Sequence, residues 1–111
     1  MAENDIKKLT EQVLAFTRDR DWDQFHNPKD LAIALSIEAS ELLEAFLWKK
    51  AEDAKIEKIE EELADVINYA LLLADKCNFD VYEIVTKKLR VNGEKYPVYK
   101  SKGSAKKYSE L

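Results

Sequence analysis

The sequence predicts an all-α protein, and three observations support that fold class. Only two glycines and two prolines occur among the 111 residues, so few positions are suited to tight turns. Charged residues make up 36% of the chain and hydrophobic residues 46%, a balance that is typical of soluble helical proteins. Apolar residues also recur at spacings of three and four, as they do on one face of a helix. The length fits one domain with one hydrophobic core.

Two helices are predicted in the first half of the chain. Residues from about 5 to 19 carry apolar side chains at helical spacing, with Asn4 in the position of a capping residue. Asn27-Pro28 starts the second helix, because Asn accepts a hydrogen bond from an unpaired backbone N–H and Pro fits the first helical position. We expect this helix to run to about Lys50. Between the two helices, residues 20–27 form an irregular stretch rich in aromatic side chains.

Two further helices and a tail are predicted in the second half. Asp53 can cap a third helix that continues to about Cys77, and Asp80 begins a fourth that ends near Asn92-Gly93. Residues 97–111 are rich in lysine and serine and predict an extended basic tail. Because few residues connect the long second and third helices, we expect these two helices to pair antiparallel within a four-helix arrangement.

Acidic side chains interrupt the apolar faces of the two long helices. On the second helix, Glu38 falls in the middle of the apolar stripe and Glu41 borders it. That stripe consists of Leu31, Leu35, Leu42 and Ala45. On the third helix, Glu62 lies at the edge of the stripe, Asp65 lies one turn along and Tyr69 continues the row. That stripe consists of Ile59, Leu63, Val66, Ala70 and Leu73. Four carboxylates are therefore expected between two facing helices.

The four carboxylates indicate a metal site, because a buried charge is costly unless it is neutralised or coordinated. A site made only of oxygen ligands favours Mg²⁺, with Mn²⁺ as a substitute, over zinc or copper. Two such ions can clamp a phosphate, which suits hydrolysis of a phosphate ester or anhydride. The competing interpretation is a solvated acidic face, since the chain contains 22 acids. A di-iron carboxylate bundle needs two Glu-x-x-His pairs, and the one histidine, His26, belongs to no such pair.

Composition excludes several other function classes. The net charge of −4 argues against a protein that wraps nucleic acid, which needs a basic stripe. The longest purely apolar run, Ala70 to Ala74, is too short to cross a bilayer, and the N-terminus does not resemble a signal peptide. We therefore expect a cytoplasmic protein that binds neither a nucleic acid polymer nor a membrane.

Apolar residues on more than one side of the long helices predict a homo-oligomer. These residues are Ile33, Ile37, Phe46, Leu47, Ile67, Leu71 and Leu72. A partner chain should cover them in a helical-bundle dimer or tetramer. The alternative from a different function class is a non-catalytic helical protein-interaction module, in which the acids are surface charges and the aromatics anchor an interface.

Several motifs together resemble one enzyme family. Glu38-Ala-Ser-Glu41, followed by Glu62-Leu-Ala-Asp65, resembles the ExxE…ExxD signature of the MazG-like nucleotide pyrophosphohydrolases, which belong to the all-α NTP pyrophosphatase superfamily. Further segments resemble the dCTP pyrophosphatase branch of that family. They are residues 20–26, Pro28-Lys29, Leu31, residues 46–48, residues 95–97 and residues 107–111. The resemblance covers nearly the whole chain.

This resemblance implies a function and assigns roles to residues. It implies Mg²⁺-dependent hydrolysis of a nucleoside triphosphate, with one like dCTP as the expected substrate, to the monophosphate and pyrophosphate, in house-cleaning of the nucleotide pool. The catalytic metal ligands that it implies are Glu38, Glu41, Glu62 and Asp65. The positions that match a pocket for nucleobase and sugar are Trp22, His26, Trp48 and Tyr69. Asn92, Lys95 and Tyr96 match a segment that approaches sugar or phosphate.

Glu44 continues the acidic series and is left out of the metal set. The resemblance also implies dimers or tetramers with sites near subunit contacts.

Overall fold

The computed structural model describes residues 5–111 and confirms the all-α fold. The described residues form five α-helices: α1 (Asp5–Asp19), α2 (Pro28–Glu44), α3 (Ile56–Lys76), α4 (Val81–Lys95) and α5 (Val98–Ser101). None of these helices is long and apolar enough to cross a membrane. The predicted cap Asn4 lies outside the described residues. The four predicted helices are all present, and their ends differ from the prediction in specific ways.

Internal contacts divide the chain into two compact units, Met1–Phe79 and Asp80–Leu111. The first unit contains α1, α2 and α3, and the second contains α4 and α5. In the first unit, α2 and α3 form the antiparallel pair, joined by residues 45–55, and α1 packs against α3. The core of this unit consists of Leu14, Leu31 and Leu72. One residue from each helix therefore meets at its centre.

Helix α2 begins where the sequence predicts and ends earlier. The Asn27 side chain accepts a hydrogen bond from the Asp30 N–H at 2.9 Å, which caps the helix. At the other end, the backbone N–H groups of residues 45–47 donate to carbonyls three residues back, in a turn tighter than an α-helix. Trp48 then adopts a φ of +61°, which no helix tolerates. Helix α2 therefore stops at Glu44, and the expected end near Lys50 is wrong.

Helix α3 begins at Ile56, three residues after the predicted cap. Residues Ala51–Asp53 form a separate 3-10 turn, and the backbone at Ala54 and Lys55 is extended. The Asp53 side chain therefore does not cap α3. The helix ends at Lys76, and Asn78 leaves it with a φ of +57°, so the expected end near Cys77 is confirmed.

In the second unit, the Asp80 carboxylate caps α4 by accepting a hydrogen bond from the Glu83 N–H at 3.0 Å. Helix α4 continues through Gly93 to Lys95 and does not end at Asn92-Gly93. The Tyr96 N–H still donates to the Asn92 carbonyl at 2.8 Å, so helical hydrogen bonding persists past the glycine. Residues 97–111, expected to be extended, include α5 and a 3-10 turn, Tyr108–Glu110.

Candidate functional site

Three of the predicted carboxylates come together between α2 and α3. Glu38 and Glu41 lie three residues apart on α2, and Glu62 faces them from α3. One oxygen from each side chain lies within 4.8 Å of the others. Glu38 and Glu41 are half-buried, whereas Glu62 is buried with 7% of its surface exposed. We call these three residues the carboxylate cluster.

The inward-facing side of α3 differs from the predicted stripe at two positions. Leu63 is 44% exposed and Ala70 is also exposed, although both were expected to face inward. The inward-facing row is instead Ile59, Glu62, Val66, Tyr69 and Leu73. Its spacing of three and four is that of a helix packed along a partner. Glu62 and Tyr69 therefore lie in the middle of the buried face, where the sequence placed them at its margin.

Burial and the neighbouring carboxylates disfavour the charged form of Glu38. The pKa of Glu38 is raised from 4.5 to about 7, first by burial and then by the nearby carboxylates of Glu41, Asp65 and Glu62. Glu38 Oε2 and Glu62 Oε2 are buried and accept no hydrogen bond from any described residue. Buried oxygens without a donor are rare in folded proteins and call for a partner. A divalent cation with a preference for oxygen ligands fits these atoms.

A lysine that the sequence analysis overlooked already contacts the cluster. Lys58 Nζ lies 2.7 Å from Glu62 Oε1, and the two residues are one helical turn apart on α3. The hydrogen bond and charge of Glu62 raise the pKa of Lys58. The i,i+4 spacing of a lysine and a glutamate is the signal that would have identified this pair. Lys58 partly neutralises the cluster from its solvent side.

Asp65, the fourth predicted ligand, lies beside the cluster but not within it. It is exposed, and its oxygens are not among those gathered within 4.8 Å. Its charge nevertheless contributes to raising the pKa values of Glu38 and Tyr69. Asp65 therefore borders the cluster on its open side. Glu44 is exposed and remains outside it.

A cavity of about 330 Å³ opens on the other side of Tyr69, between α1, α3 and the segment that joins α1 to α2. Ten residues line it: Leu9, Gln12, Val13, Phe16, Thr17, Trp22, His26, Asn68, Tyr69 and Leu72. Three of the residues predicted for a base pocket, Trp22, His26 and Tyr69, are thus in one wall. We call this space the α1–α3 cavity.

The segment that carries Trp22 and His26 is held in place by specific contacts. Asp23 Oδ1 lies 3.3 Å from Lys76 Nζ, which links the segment to the end of α3. The Trp22 ring packs edge-on against Phe16, with 5.8 Å between centroids. Arg20 covers the Phe16 ring with its guanidinium carbon 3.6 Å from the centroid. These contacts fix the indole at the cavity wall.

Tyr69 belongs to both environments. It lines the α1–α3 cavity, and its pKa is raised by burial and then by the charges of Glu38, Asp65 and Glu41. A phenol whose titration responds to these carboxylates lies close to them. The cavity and the carboxylate cluster are therefore both close to Tyr69.

Two polar residues of the cavity, Gln12 and Asn68, were missed by the sequence analysis. Gln12 lies four residues before Phe16 on α1, and Asn68 immediately precedes Tyr69 on α3. The spacing from Gln12 to Phe16 was a usable signal, because residues four apart share a helix face. Only tertiary packing reveals that the two carboxamides line the same cavity.

The remaining predicted site residues lie elsewhere. Trp48 is 93% exposed and does not line the α1–α3 cavity. Asn92, Lys95 and Tyr96 belong to the second unit. There, Asn92 lines an apolar groove of about 390 Å³ on α4. Lys95 Nζ lies 4.9 Å from the ring centroid of Tyr108, and the rings of Tyr96 and Tyr108 pack edge-on at 6.1 Å.

Comparison with known proteins gives consistent matches. A profile of the MazG-like family matches residues 33–111. dCTP pyrophosphatase 1 from Mus musculus is 38% identical over 115 aligned residues, which span 96% of this chain and 66% of the mouse protein. The Homo sapiens protein of the same name is 36% identical over the same shares. The chain thus spans just under two thirds of the length of these relatives.

A solved structure agrees with these sequence matches. The crystal structure of a pyrophosphatase from Archaeoglobus fulgidus superposes on this chain with a TM-score of 0.77 and 36% sequence identity. The match covers 87% of this chain and 96% of the archaeal one. From the family profile, the relatives and the shared fold, we conclude that the chain belongs to the MazG-like family.

Proposed function

We propose that the chain is a nucleoside triphosphate pyrophosphohydrolase that depends on a divalent metal ion, Mg²⁺ with Mn²⁺ as a substitute. It would cleave (deoxy)nucleoside triphosphates to the monophosphate and pyrophosphate. The observation that carries this proposal is the position of Tyr69, which lines an apolar cavity and lies among carboxylates. A nucleotide bound to metal needs both environments side by side. dCTP is the first candidate substrate, because relatives with 36% and 38% identity are named dCTP pyrophosphatase 1.

The carboxylate cluster would hold the metal. Glu38, Glu41 and Glu62 offer oxygens within 4.8 Å of one another, and Asp65 would join them from the open side. Without a cation, ionised carboxylates repel a triphosphate, so metal must bind before substrate binds productively. A divalent ion, when bound, neutralises this charge and polarises the phosphoryl oxygens. The buried oxygens of Glu38 and Glu62, which lack donors among the described residues, support this assignment.

The reaction adds water across the anhydride between the α and β phosphates. The water oxygen bonds to one phosphorus, the bridging oxygen leaves with the other phosphate group, and a proton is released. Carboxylate oxygens of the cluster or of Asp65 would accept hydrogen bonds from the water and orient it toward phosphorus. Lys58, whose side chain is 51% exposed beside Glu62, supplies a positive charge at the edge of the cluster.

The α1–α3 cavity would take the nucleobase. Trp22 offers an indole face for stacking, which contributes about 1–3 kcal/mol per base without selecting among bases. His26 Nδ1 is buried and has no hydrogen-bond partner among the described residues, so it is free to meet a polar atom of the ligand. Asn92, Lys95 and Tyr96 remain our candidates for contacts with sugar or phosphate.

A second copy of the chain would complete the site. Trp48 is exposed in the single chain, and a base-stacking role requires it to reach a ligand held by a neighbouring copy. Apolar residues exposed on α2 and α3, such as Ile33, Ile37 and Ile67, would form the contact. Leu71 and Leu72 drop out of this interface, because both are buried within the chain. Sedimentation of the purified protein should give a dimer or tetramer, and a monomer at micromolar concentration would refute this part.

The decisive experiment measures pyrophosphate release from a panel of common and modified nucleoside triphosphates in Mg²⁺. We expect dCTP to be hydrolysed and activity to be lost with EDTA or in Glu38→Gln. Glu44→Gln serves as a matched control, because Glu44 lies on the same helix and outside the cluster. A non-catalytic interaction module would release no pyrophosphate from any nucleotide. An active enzyme with this selectivity would serve in house-cleaning of the nucleotide pool, which is held in the cytoplasm.

A further inference from the structure

Two carboxamides line the α1–α3 cavity without an internal partner. Gln12 comes from α1 and Asn68 from α3, and the cavity between them is otherwise mostly apolar. Neither side-chain amide forms a hydrogen bond with a described residue. Other polar side chains of the first unit, such as Asn27 and Gln24, do form such bonds. The two cavity amides are therefore available to a ligand.

A third polar group without a hydrogen-bond partner lines the same cavity. His26 Nδ1 is buried without a hydrogen-bond partner among the described residues. A buried polar atom without a hydrogen-bond partner destabilises the fold, because it has lost its hydrogen bonds to water. A bound ligand that forms a hydrogen bond with the atom offsets this loss. Gln12, Asn68 and His26 come from three separate segments and line one space; Gln12 is exposed to solvent, Asn68 is half-buried, and His26 Nδ1 is the buried atom among them. A ligand that enters the cavity would therefore meet two carboxamides and one imidazole nitrogen that have no hydrogen-bond partner among the described residues.

We propose that Gln12 and Asn68 are specificity-determining residues that read the hydrogen-bonding edge of the nucleobase. The proposal rests on the proposed function, in which this cavity takes the base. Each carboxamide presents a donor and an acceptor side by side, which can pair with two neighbouring atoms on the edge of a base. The edge of cytosine offers an amino donor beside the N3 acceptor, and a carboxamide matches that order. Stacking on Trp22 supplies affinity, and the amides supply selectivity.

The test compares a base that has this edge with one that lacks part of it. Binding of deoxycytidine monophosphate is measured by calorimetry against its analogue with a pyrimidin-2-one base, which is cytosine without the amino group. Monophosphates are used in EDTA, so neither metal binding nor hydrolysis enters the result. The variants are Gln12→Met and Asn68→Leu, which keep the side-chain size and remove the amide. Glu11→Met is the matched control, because Glu11 is exposed on α1 beside Gln12 and does not line the cavity.

We expect the wild-type chain to prefer the cytosine nucleotide by about tenfold, which is the upper end of the usual scale for one hydrogen bond. Each amide variant should bind deoxycytidine monophosphate about tenfold more weakly, and its binding of the analogue, which keeps N3 but lacks the amino group, should fall less. Glu11→Met should retain the wild-type preference. Asn68→Ala, which also removes both the amide donor and the amide acceptor, provides the comparison if Asn68→Leu fails to fold.

Two results would overturn the inference. One is a cytosine preference in Gln12→Met and in the folded Asn68 variant that stays within twofold of the wild type. The other is an absence of nucleotide binding by the wild-type chain. Failure of the proposed function has a different signature, namely no pyrophosphate release in Mg²⁺. A chain that hydrolyses nucleotides but keeps its base preference in both variants refutes the inference alone.

Discussion

Metal binding by the carboxylate cluster should depend on pH through Glu38. The pKa of this residue is raised to about 7, so its carboxylate is ionised in about 90% of molecules at pH 8 and about 10% at pH 6. A ligand oxygen must be deprotonated to bind the cation, so lowering the pH from 8 to 6 should weaken the apparent affinity for Mg²⁺ by about tenfold. Glu38→Gln should bind the ion more weakly at pH 8 and lose this slope, because glutamine does not titrate.

Isothermal titration calorimetry measures both effects. At pH 7 the wild-type chain should release about 0.5 proton per bound ion, which appears as a binding enthalpy that differs between buffers of different ionisation enthalpy. Glu44→Gln is the control and should behave as the wild type, since Glu44 is exposed outside the cluster. Mn²⁺ provides a second ion for the same titration.

The reasoning fails if Glu38→Gln shows the same pH slope as the wild type, because the titrating group would then be another residue. It also fails if metal binding is independent of pH between 6 and 8. A parallel loss of slope in Glu44→Gln would mean that the substitution acts through the general charge of α2.

Three further predictions follow from single residues. Lys58→Met should tighten Mg²⁺ binding by about threefold in calorimetry, because the ammonium no longer competes for Glu62; weaker binding would mean that Lys58 supports the site. In EDTA, Glu38→Gln should melt about 5 °C above the wild type at pH 8 and at the same temperature near pH 4.5. The variant should be the more stable one at pH 8, because a raised carboxyl pKa destabilises the folded wild-type chain as the pH rises from 4.5 to about 7. A melting temperature of Glu38→Gln below that of the wild type at pH 8 would contradict this prediction. Trp48→Ala should weaken nucleotide binding by about tenfold and leave metal binding intact, whereas unchanged nucleotide affinity excludes stacking.

The parts of the fold that depend on local chemistry could be predicted from the sequence. Asn27 and Asp80 cap their helices because a side chain accepts a hydrogen bond from a backbone N–H three residues on, a geometry set by adjacent residues. The end of α2 could not be predicted in this way. It depends on the positive φ of Trp48, a conformation that a tryptophan rarely adopts and that no propensity indicates.

The candidate site, like the fold, could be predicted from the sequence only where local periodicity determines it. Glu38 and Glu41 could be recognised because helical periodicity places them on or beside the apolar stripe of α2. The central position of Glu62 could not, since which face of α3 is buried depends on how α1 and α2 both pack against it. The pairing of Gln12 with Asn68 across the cavity likewise requires the tertiary arrangement.

The placement of Tyr69 has a consequence for which molecules the chain can accept. In the proposed function, a ligand would place its base in the apolar cavity and its phosphates near the carboxylates; Tyr69 lines the first, and its pKa is raised by the second. The separation between the base and the phosphates of such a ligand would have to match the distance between these two environments. Molecules with a shorter or longer linkage between base and phosphates would bind in one of the two environments and fail to reach the other.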